Sequence, residues 1–136
     1  RIENVNIEAV RALQDTGHMP VVAPIAISDT GEALNVDGDR AAAHLAGTIK
    51  ADKLVILSNV SGLLSDLTDP NSYIPNISAH DIDDAINNIA RGRMKRKLIA
   101  AREALDAGVK QVIVANGKIE QPITKALKGE GTLING

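Results

Sequence analysis

Residues 53–58, Lys-Leu-Val-Ile-Leu-Ser, form an apolar run of strand length that passes directly into Asn59-Val-Ser-Gly62. A second run of the same kind, Gln111-Val-Ile-Val-Ala115, is followed by Asn116-Gly117. Strands that are apolar on both faces are typical of a parallel sheet that helices cover on its two sides. These two segments therefore predict an α/β fold with a mostly parallel sheet.

The segments around these two runs complete the alternation of strands and helices. Helical spacing of apolar residues predicts helices over residues 5–16, 39–50, 78–90, 93–107 and 122–128. Shorter strands are predicted over residues 21–27, 33–36 and 132–134, and a polar loop over 65–75. This order predicts an αβα sandwich, in which ligands bind at the carboxyl ends of the strands. The segments to search are therefore the loops after Ile27, Val36, Ser58 and Ala115.

Composition excludes several classes of protein. The 136 residues suit one domain, and the net charge of −2 with a pI near 5.9 argues against a nucleic-acid partner. The chain has no Cys, which excludes disulfides and thiolate metal sites, and its single aromatic residue is Tyr73. No apolar run approaches the roughly 20 residues of a membrane span, so we expect no membrane partner. The first residue is not Met, and we expect the chain to begin within a longer protein.

The segment Arg91-Gly-Arg-Met-Lys-Arg-Lys97 concentrates five basic residues at the predicted start of a helix. A helix N-terminus carries a partial charge of about +0.5, so acidic residues are normally favoured there. A bound anion would resolve this conflict, because the free backbone N–H groups at that end already favour a phosphate. Arg93 and Lys97 lie four residues apart and share one helix face. The alternative interpretation is a solvated basic face on a surface helix.

Two further segments have the composition of ligand loops. In residues 35–39, Asn-Val-Asp-Gly-Asp, a strand ends and two aspartates flank the start of a helix. Asp37 and Asp39 could simply cap that helix, or a carboxylate there could orient a lysine or a magnesium ion opposite a phosphate. In residues 58–64, small residues after a buried strand would let backbone N–H groups approach a phosphate.

Five stretches, in this order and spacing, are similar to the amino-acid kinase family and in particular to its acetylglutamate kinase branch. They are residues 17–25, 34–42, 57–64, 92–97 and 129–134, and the resemblance covers essentially the whole chain. It implies an αβα sandwich that transfers the γ-phosphoryl group of ATP to a carboxylate and forms an acyl phosphate. Phosphoryl transfer of this kind needs positioning and charge neutralisation rather than a protein nucleophile.

The resemblance also implies roles for individual residues. Lys97 matches the lysine that stabilises the transferred phosphoryl group, Asp39 the aspartate that organises the catalytic lysines, and Asn35 a contact to the amino-acid substrate. The residues implied to bind ATP are Asn59, Val60, Ser61, Gly62, Leu63, Leu64 and Arg91. Because the chain has almost no aromatic residues, we expect backbone, lysine and aliphatic walls to hold the nucleotide. Mg2+ is expected to bind mainly through the phosphates.

The acceptor is predicted from the basic segment. Acetylglutamate kinases tend to show Gly-Gly-Met before two variable residues and the lysine, whereas here Arg93 replaces the second glycine and Lys95-Arg96 fill the variable pair. With residues 121–127, this pattern is more similar to kinases of lysine and arginine biosynthesis that act on aminoadipate or glutamate attached to the acidic carrier protein LysW. A cationic rim suits an acidic carrier by charge complementarity. N-acetylglutamate is the alternative acceptor.

The resemblance is incomplete at the amino-terminal side. The Gly-Gly-Lys phosphate segment, the glycine-rich loop and the substrate-binding arginine of the family's amino-terminal half do not occur in the 136 residues. We therefore expect residues 1–136 to be the carboxyl-terminal, ATP-binding part of a cytoplasmic, homo-oligomeric kinase and to be inactive alone. The alternatives are another family member, such as a glutamate 5-kinase, carbamate kinase or uridylate kinase, or a non-catalytic nucleotide-binding module of the same fold.

Overall fold

The structure, a computed structural model, describes residues 2–69 and 71–136. Its helices are α1 (Ile7–Asp15), α2 (Gly38–Ile49), α3 (Ile82–Asp84), α4 (Gly92–Asp106) and α5 (Pro122–Leu127), and a π-helical turn, Ala85–Ile89, directly follows α3. Its strands are β1 (Ile25–Ile27), β2 (Ala33–Asn35), β3 (Lys53–Ser58), β4 (Leu63–Leu64), β5 (Tyr73–Ile74), β6 (Asn76–Ser78), β7 (Gln111–Asn116) and β8 (Thr132–Asn135). Among these described residues, no helix combines the length and the apolar character needed to cross a membrane.

The central sheet has four strands in the order β3-β7-β8-β6. Strands β3 and β7 pair in parallel over their whole length, from Lys53 opposite Gln111 to Ser58 opposite Asn116. Strands β6 and β8 are also parallel, whereas β7 and β8 are antiparallel. Two of the three pairings are parallel, and the predicted mostly parallel sheet is therefore confirmed. The pairs β1-β2 and β4-β5 form two small antiparallel sheets.

Helices cover both faces of the central sheet, as the αβα prediction requires. On β7, Val112 and Val114 belong to the main core, which also contains residues of α2 and α4. The alternate residues Ile113 and Ala115 pack with Ala126 of α5 in a second, smaller core. Because successive side chains of a strand point to opposite faces, this division places α2 and α4 on one side of the sheet and α5 on the other.

The contact between α2 and α4 is made by small residues. Ala43 of α2 and Ala100, Ala101 and Ala104 of α4 are fully buried. Near the carboxyl ends of both helices, a methyl group at Gly47 would overlap the methyl of Ala107. The alanine-rich sequence of α2, which predicted a helix by propensity alone, therefore also sets how closely the two helices approach.

Three segments differ from the sequence-based prediction. The strand predicted over residues 21–27 is limited to β1, because Pro24 has no N–H to donate, and Val21 is almost fully exposed. The predicted polar loop over 65–75 contains β5 at its end, since Leu63 and Leu64 pair with Ile74 and Tyr73 from across the loop. The helix predicted over 78–90 has one α-helical turn and then widens, and its last hydrogen bond runs from the Ala90 N–H to the Ala85 carbonyl.

Candidate functional site

Two helix N-termini meet at the edge of the sheet where β3 and β7 end. Helix α2 leads directly into β3 and α4 leads directly into β7, so each helix runs antiparallel to the strand that follows it. Both N-termini therefore lie at the carboxyl ends of the parallel strands. Unpaired N–H groups and the helix dipoles make this edge favourable for an anion.

Lys97 and Asp39, the two residues predicted to be catalytic, are in direct contact at this edge. The Lys97 Nζ donates to both carboxylate oxygens of Asp39 at 3.0 Å and to the carbonyl of Leu57 at 3.4 Å. The Lys97 side chain is only 13% exposed and that of Asp39 is 27% exposed. One ammonium group thus connects α4, α2 and the end of β3. The arrangement holds a fixed positive charge where the helix termini already favour an anion.

A second ion pair fixes α2 against α4 next to this contact. Arg40 donates from Nε to Glu103 Oε2 at 3.0 Å and from Nη2 to Glu103 Oε1 at 2.6 Å, and this carboxylate raises the pKa of the guanidinium. The backbone N–H of Arg40 donates to Asp37 Oδ1 at 3.1 Å, so Asp37 is the N-cap of α2. Capping therefore accounts for Asp37, whereas Asp39 is directed to Lys97.

A large cavity of about 710 Å³ lies beside the loops that follow β3 and β7. Four residues of the predicted ATP-binding segment line it, namely Asn59, Val60, Ser61 and Leu64. Most of the other lining residues come from the end of β7, the turn after it, α5 and the loop before β8, and include Asn116, Ile119, Pro122, Ala126 and Glu130. The volume lies within the range of known cofactor pockets.

The remaining predicted ATP-binding residues, Gly62, Leu63 and Arg91, line a second cavity. Gly62 and Leu63 do not line the large cavity, and Leu63 is buried in the core. The second cavity is smaller, about 170 Å³, and Asn59 and Val60 also border it. The Arg91 guanidinium donates to the carbonyls of Asn88 at 3.0 Å and Ala90 at 3.2 Å, so its contacts here are with the end of the π-helical turn.

The predicted substrate residue Asn35 is at the end of β2 and is exposed. It pairs with Ile25 across the β1-β2 hairpin and does not line either of the two cavities. It precedes the N-cap of α2 by two residues, which places it four residues from Asp39 along the chain. Its assignment as a substrate contact stays a prediction.

Tyr73 of β5 also lines the large cavity, whereas the expectation that backbone, lysine and aliphatic walls hold the nucleotide stays a prediction. Burial raises the pKa of Tyr73. The loop Gly129-Glu130-Gly131 also lines the cavity and was not predicted to do so. The spaced glycines of this loop, which already contributed to the family resemblance, are the signal that would have found it.

Thr132 connects β4 and β5 to the central sheet. It is completely buried, and its Oγ1 accepts from the Leu63 N–H at 2.8 Å while donating to the Ile74 carbonyl at 2.7 Å. One hydroxyl therefore satisfies both β4 and β5 from its position on β8. At Gly62, a Cβ would lie 2.5 Å from this hydroxyl oxygen, so a glycine is needed there for the close approach.

We expect Thr132→Val to lower the free energy of unfolding by about 2 kcal/mol. Valine has the shape of threonine but no hydroxyl, so the Leu63 N–H and the Ile74 carbonyl lose their partner. The measurement is urea denaturation followed by circular dichroism. The control is Thr132→Ser, which keeps the hydroxyl and loses one methyl group, at a cost of about 1 kcal/mol. A Thr132→Val variant as stable as the parent protein would contradict this role.

Sequence comparison finds a matching family profile and similar curated proteins. The sequence profile described as "Amino acid kinase family" matches residues 1–116. A [LysW]-aminoadipate kinase of Thermus thermophilus is 44% identical over 134 residues, which are 98% of this chain and 50% of that protein. An acetylglutamate kinase of Methanopyrus kandleri is 36% identical over 134 residues, 98% of this chain and 52% of that protein. The chain spans about half the length of these curated relatives.

A solved structure has the same fold. The N-acetylglutamate synthase from Neisseria gonorrhoeae, complexed with coenzyme A and L-arginine, superposes with a TM-score of 0.84 at 27% identity. The superposition covers 99% of this chain and 32% of that one. The arrangement of β3, β7 and their helices is therefore that of a known αβα sandwich.

Proposed function

Because the chain belongs to the amino acid kinase family, we propose that it forms the ATP-binding part of an enzyme that phosphorylates an amino-acid carboxylate. The product of that reaction is an acyl phosphate. The observation that supports the proposal best is the contact of Lys97 with Asp39 at the two helix N-termini, beside a cavity of nucleotide size. The same proposal places the enzyme in the cytoplasm, as a homo-oligomer, in lysine or arginine biosynthesis.

The roles of the residues follow from their contacts. Lys97 supplies a fixed positive charge for the transferred phosphoryl group, and the N–H groups at the starts of α2 and α4 add oriented dipoles. Both oxygens of Asp39 accept from the Lys97 ammonium, so Asp39 positions it. ATP would lie in the large cavity, with Mg2+ held mainly by phosphate oxygens, where it neutralises phosphate charge.

The acceptor we propose is aminoadipate or glutamate linked to an acidic carrier protein. The relative named as a [LysW]-aminoadipate kinase is 44% identical, against 36% for the acetylglutamate kinase. Arg93 and Arg96 of α4 are exposed, and neither forms a salt bridge within residues 2–69 and 71–136. Free cationic side chains next to the proposed phosphoryl site are suited to attract an acidic carrier.

Incubation of the complete enzyme with ATP and each acceptor, followed by trapping with hydroxylamine, tests the acceptor. We expect the hydroxamate to form with carrier-linked aminoadipate or glutamate, because acyl phosphates react rapidly with hydroxylamine. Raising the salt concentration from 50 to 200 mM is expected to lower kcat/KM for the carrier-linked acceptor several-fold, since charge steering weakens with ionic strength.

The controls separate the identity of the acceptor from the kinase activity itself. Hydroxamate formed only from free N-acetylglutamate would identify an acetylglutamate kinase and overturn the carrier-linked acceptor. No hydroxamate from any acceptor, with ATP still bound, would favour a non-catalytic nucleotide-binding module. The 136-residue chain by itself is expected to bind ATP without turnover, and turnover comparable to that of the complete enzyme would contradict its assignment as a part.

A further inference from the structure

We propose that Tyr73 makes the aromatic contact to the base of the bound nucleotide, and this inference rests on the proposed function. Tyr73 is the only aromatic side chain of the 136 residues, and it lies half-buried in the wall of the 710 Å³ cavity. Every nucleobase has a π face, and stacking on an aromatic ring stabilises its binding.

The ring of Tyr73 is held in place before any ligand binds. Tyr73 pairs with Leu64 across the β4-β5 ladder, and a Cβ at Gly62 would lie 2.7 Å from the Tyr73 Cε2. The close packing on Gly62 restricts the ring. A rigid aromatic side chain loses little conformational entropy when a ligand packs on it.

The charges at the two ends of the site assign the base to the Tyr73 end. Glu130 also lines the cavity, and its carboxylate adds to the effect of burial in raising the pKa of the Tyr73 phenol. A carboxylate repels the phosphates, whereas Lys97 and the helix N-termini attract them. The cavity wall also contains Ile119, Pro122 and Ala126, which are suited to an apolar ring and not to a polyanion.

Calorimetric titration with two probes, ATP and inorganic tripolyphosphate, tests the contact in the complete enzyme. We expect Tyr73→Leu to weaken ATP binding by about 10-fold, the size typical of a lost base–aromatic contact. Tripolyphosphate has no base, so its affinity should stay within about 2-fold. Tyr73→Phe is the matched control and should bind ATP within about 2-fold of the parent enzyme, because the ring remains.

The outcomes distinguish three cases. If Tyr73→Leu weakens ATP and tripolyphosphate equally, Tyr73 only supports the loop, and the inference is wrong. If Tyr73→Leu binds ATP as well as the parent does, the base lies elsewhere, and the inference is also wrong. If the parent enzyme binds neither probe, the proposed nucleotide site itself fails, which is a different result from the first two.

Tyrosine emission of the 136-residue chain provides a second readout, because Tyr73 is its only fluorescent residue. We expect ATP to change this emission saturably, with the dissociation constant that calorimetry gives. Tripolyphosphate at the same occupancy should leave the emission unchanged, and free N-acetyltyrosinamide corrects for absorption by ATP. Calorimetric binding of ATP without any change in the emission would overturn the contact.

Discussion

Lys97→Ala is expected to lower kcat of the complete enzyme at least about 100-fold while changing the affinity for ATP only slightly. The Lys97 ammonium is fixed by Asp39 and Leu57, so it is preorganised for charge that develops during phosphoryl transfer. An interaction that acts mainly in the transition state lowers kcat when it is removed and leaves ground-state binding nearly intact. Steady-state kinetics with the hydroxamate assay, together with calorimetry for ATP, measure the two quantities.

Lys110→Ala is the matched control for this substitution. Lys110 also donates to an aspartate, Asp52 at 2.7 Å, but its side chain is 76% exposed and its pair is far from the sheet edge where β3 and β7 end. The pair connects residues at the start of β3 and β7, so its loss should leave kcat within about 2-fold. Near-normal turnover of Lys97→Ala, or an equal loss in both variants, would remove Lys97 from its proposed role.

The central sheet was predictable because its signal is local. Strand β3 has the same bounds as the predicted strand over residues 53–58, and β7 is only one residue longer than predicted. Such runs are apolar on both faces whatever packs on them, so the sequence itself carries the information. Strands β4, β5 and β6 were not predicted, because β4 and β5 pair only with each other across a polar loop and β6 pairs with the distant β8.

The residues of the candidate site that belong to a family motif were predictable from the sequence. Lys97 and Asp39 are 58 residues apart, and each was assigned by resemblance rather than by spacing. Their contact follows from the parallel packing of α2 and α4, which depends on buried alanines that predict a helix but not its neighbour. Tyr73 was missed because a lone aromatic residue in a polar loop has no local pattern that directs it to a cavity.

Gly131→Ala is expected to lower the free energy of unfolding by about 4 kcal/mol and to abolish measurable binding of ATP to the large cavity. Gly131 has φ +114°, and a Cβ there would lie 2.7 Å from the Val114 carbonyl oxygen and 2.9 Å from the Ala115 Cβ. Backbone strain at such a φ costs about 1–3 kcal/mol, and overlap with the backbone of β7 adds to it, since a central strand cannot move aside. Urea denaturation and calorimetry measure the two effects.

Gly129→Ala isolates the strain from the overlap. Gly129 lies in the same loop and lines the same cavity with φ +106°, but a Cβ there would meet no atom within 4 Å. Gly129→Ala should therefore cost only the strain, about 1–2 kcal/mol, and should retain ATP binding within about 3-fold. Equal destabilisation by both substitutions would show that φ alone determines the effect. The backbone of β7 would then tolerate a methyl group at Gly131. Tight packing of this loop against the sheet would not shape the cavity, and the prediction would be wrong.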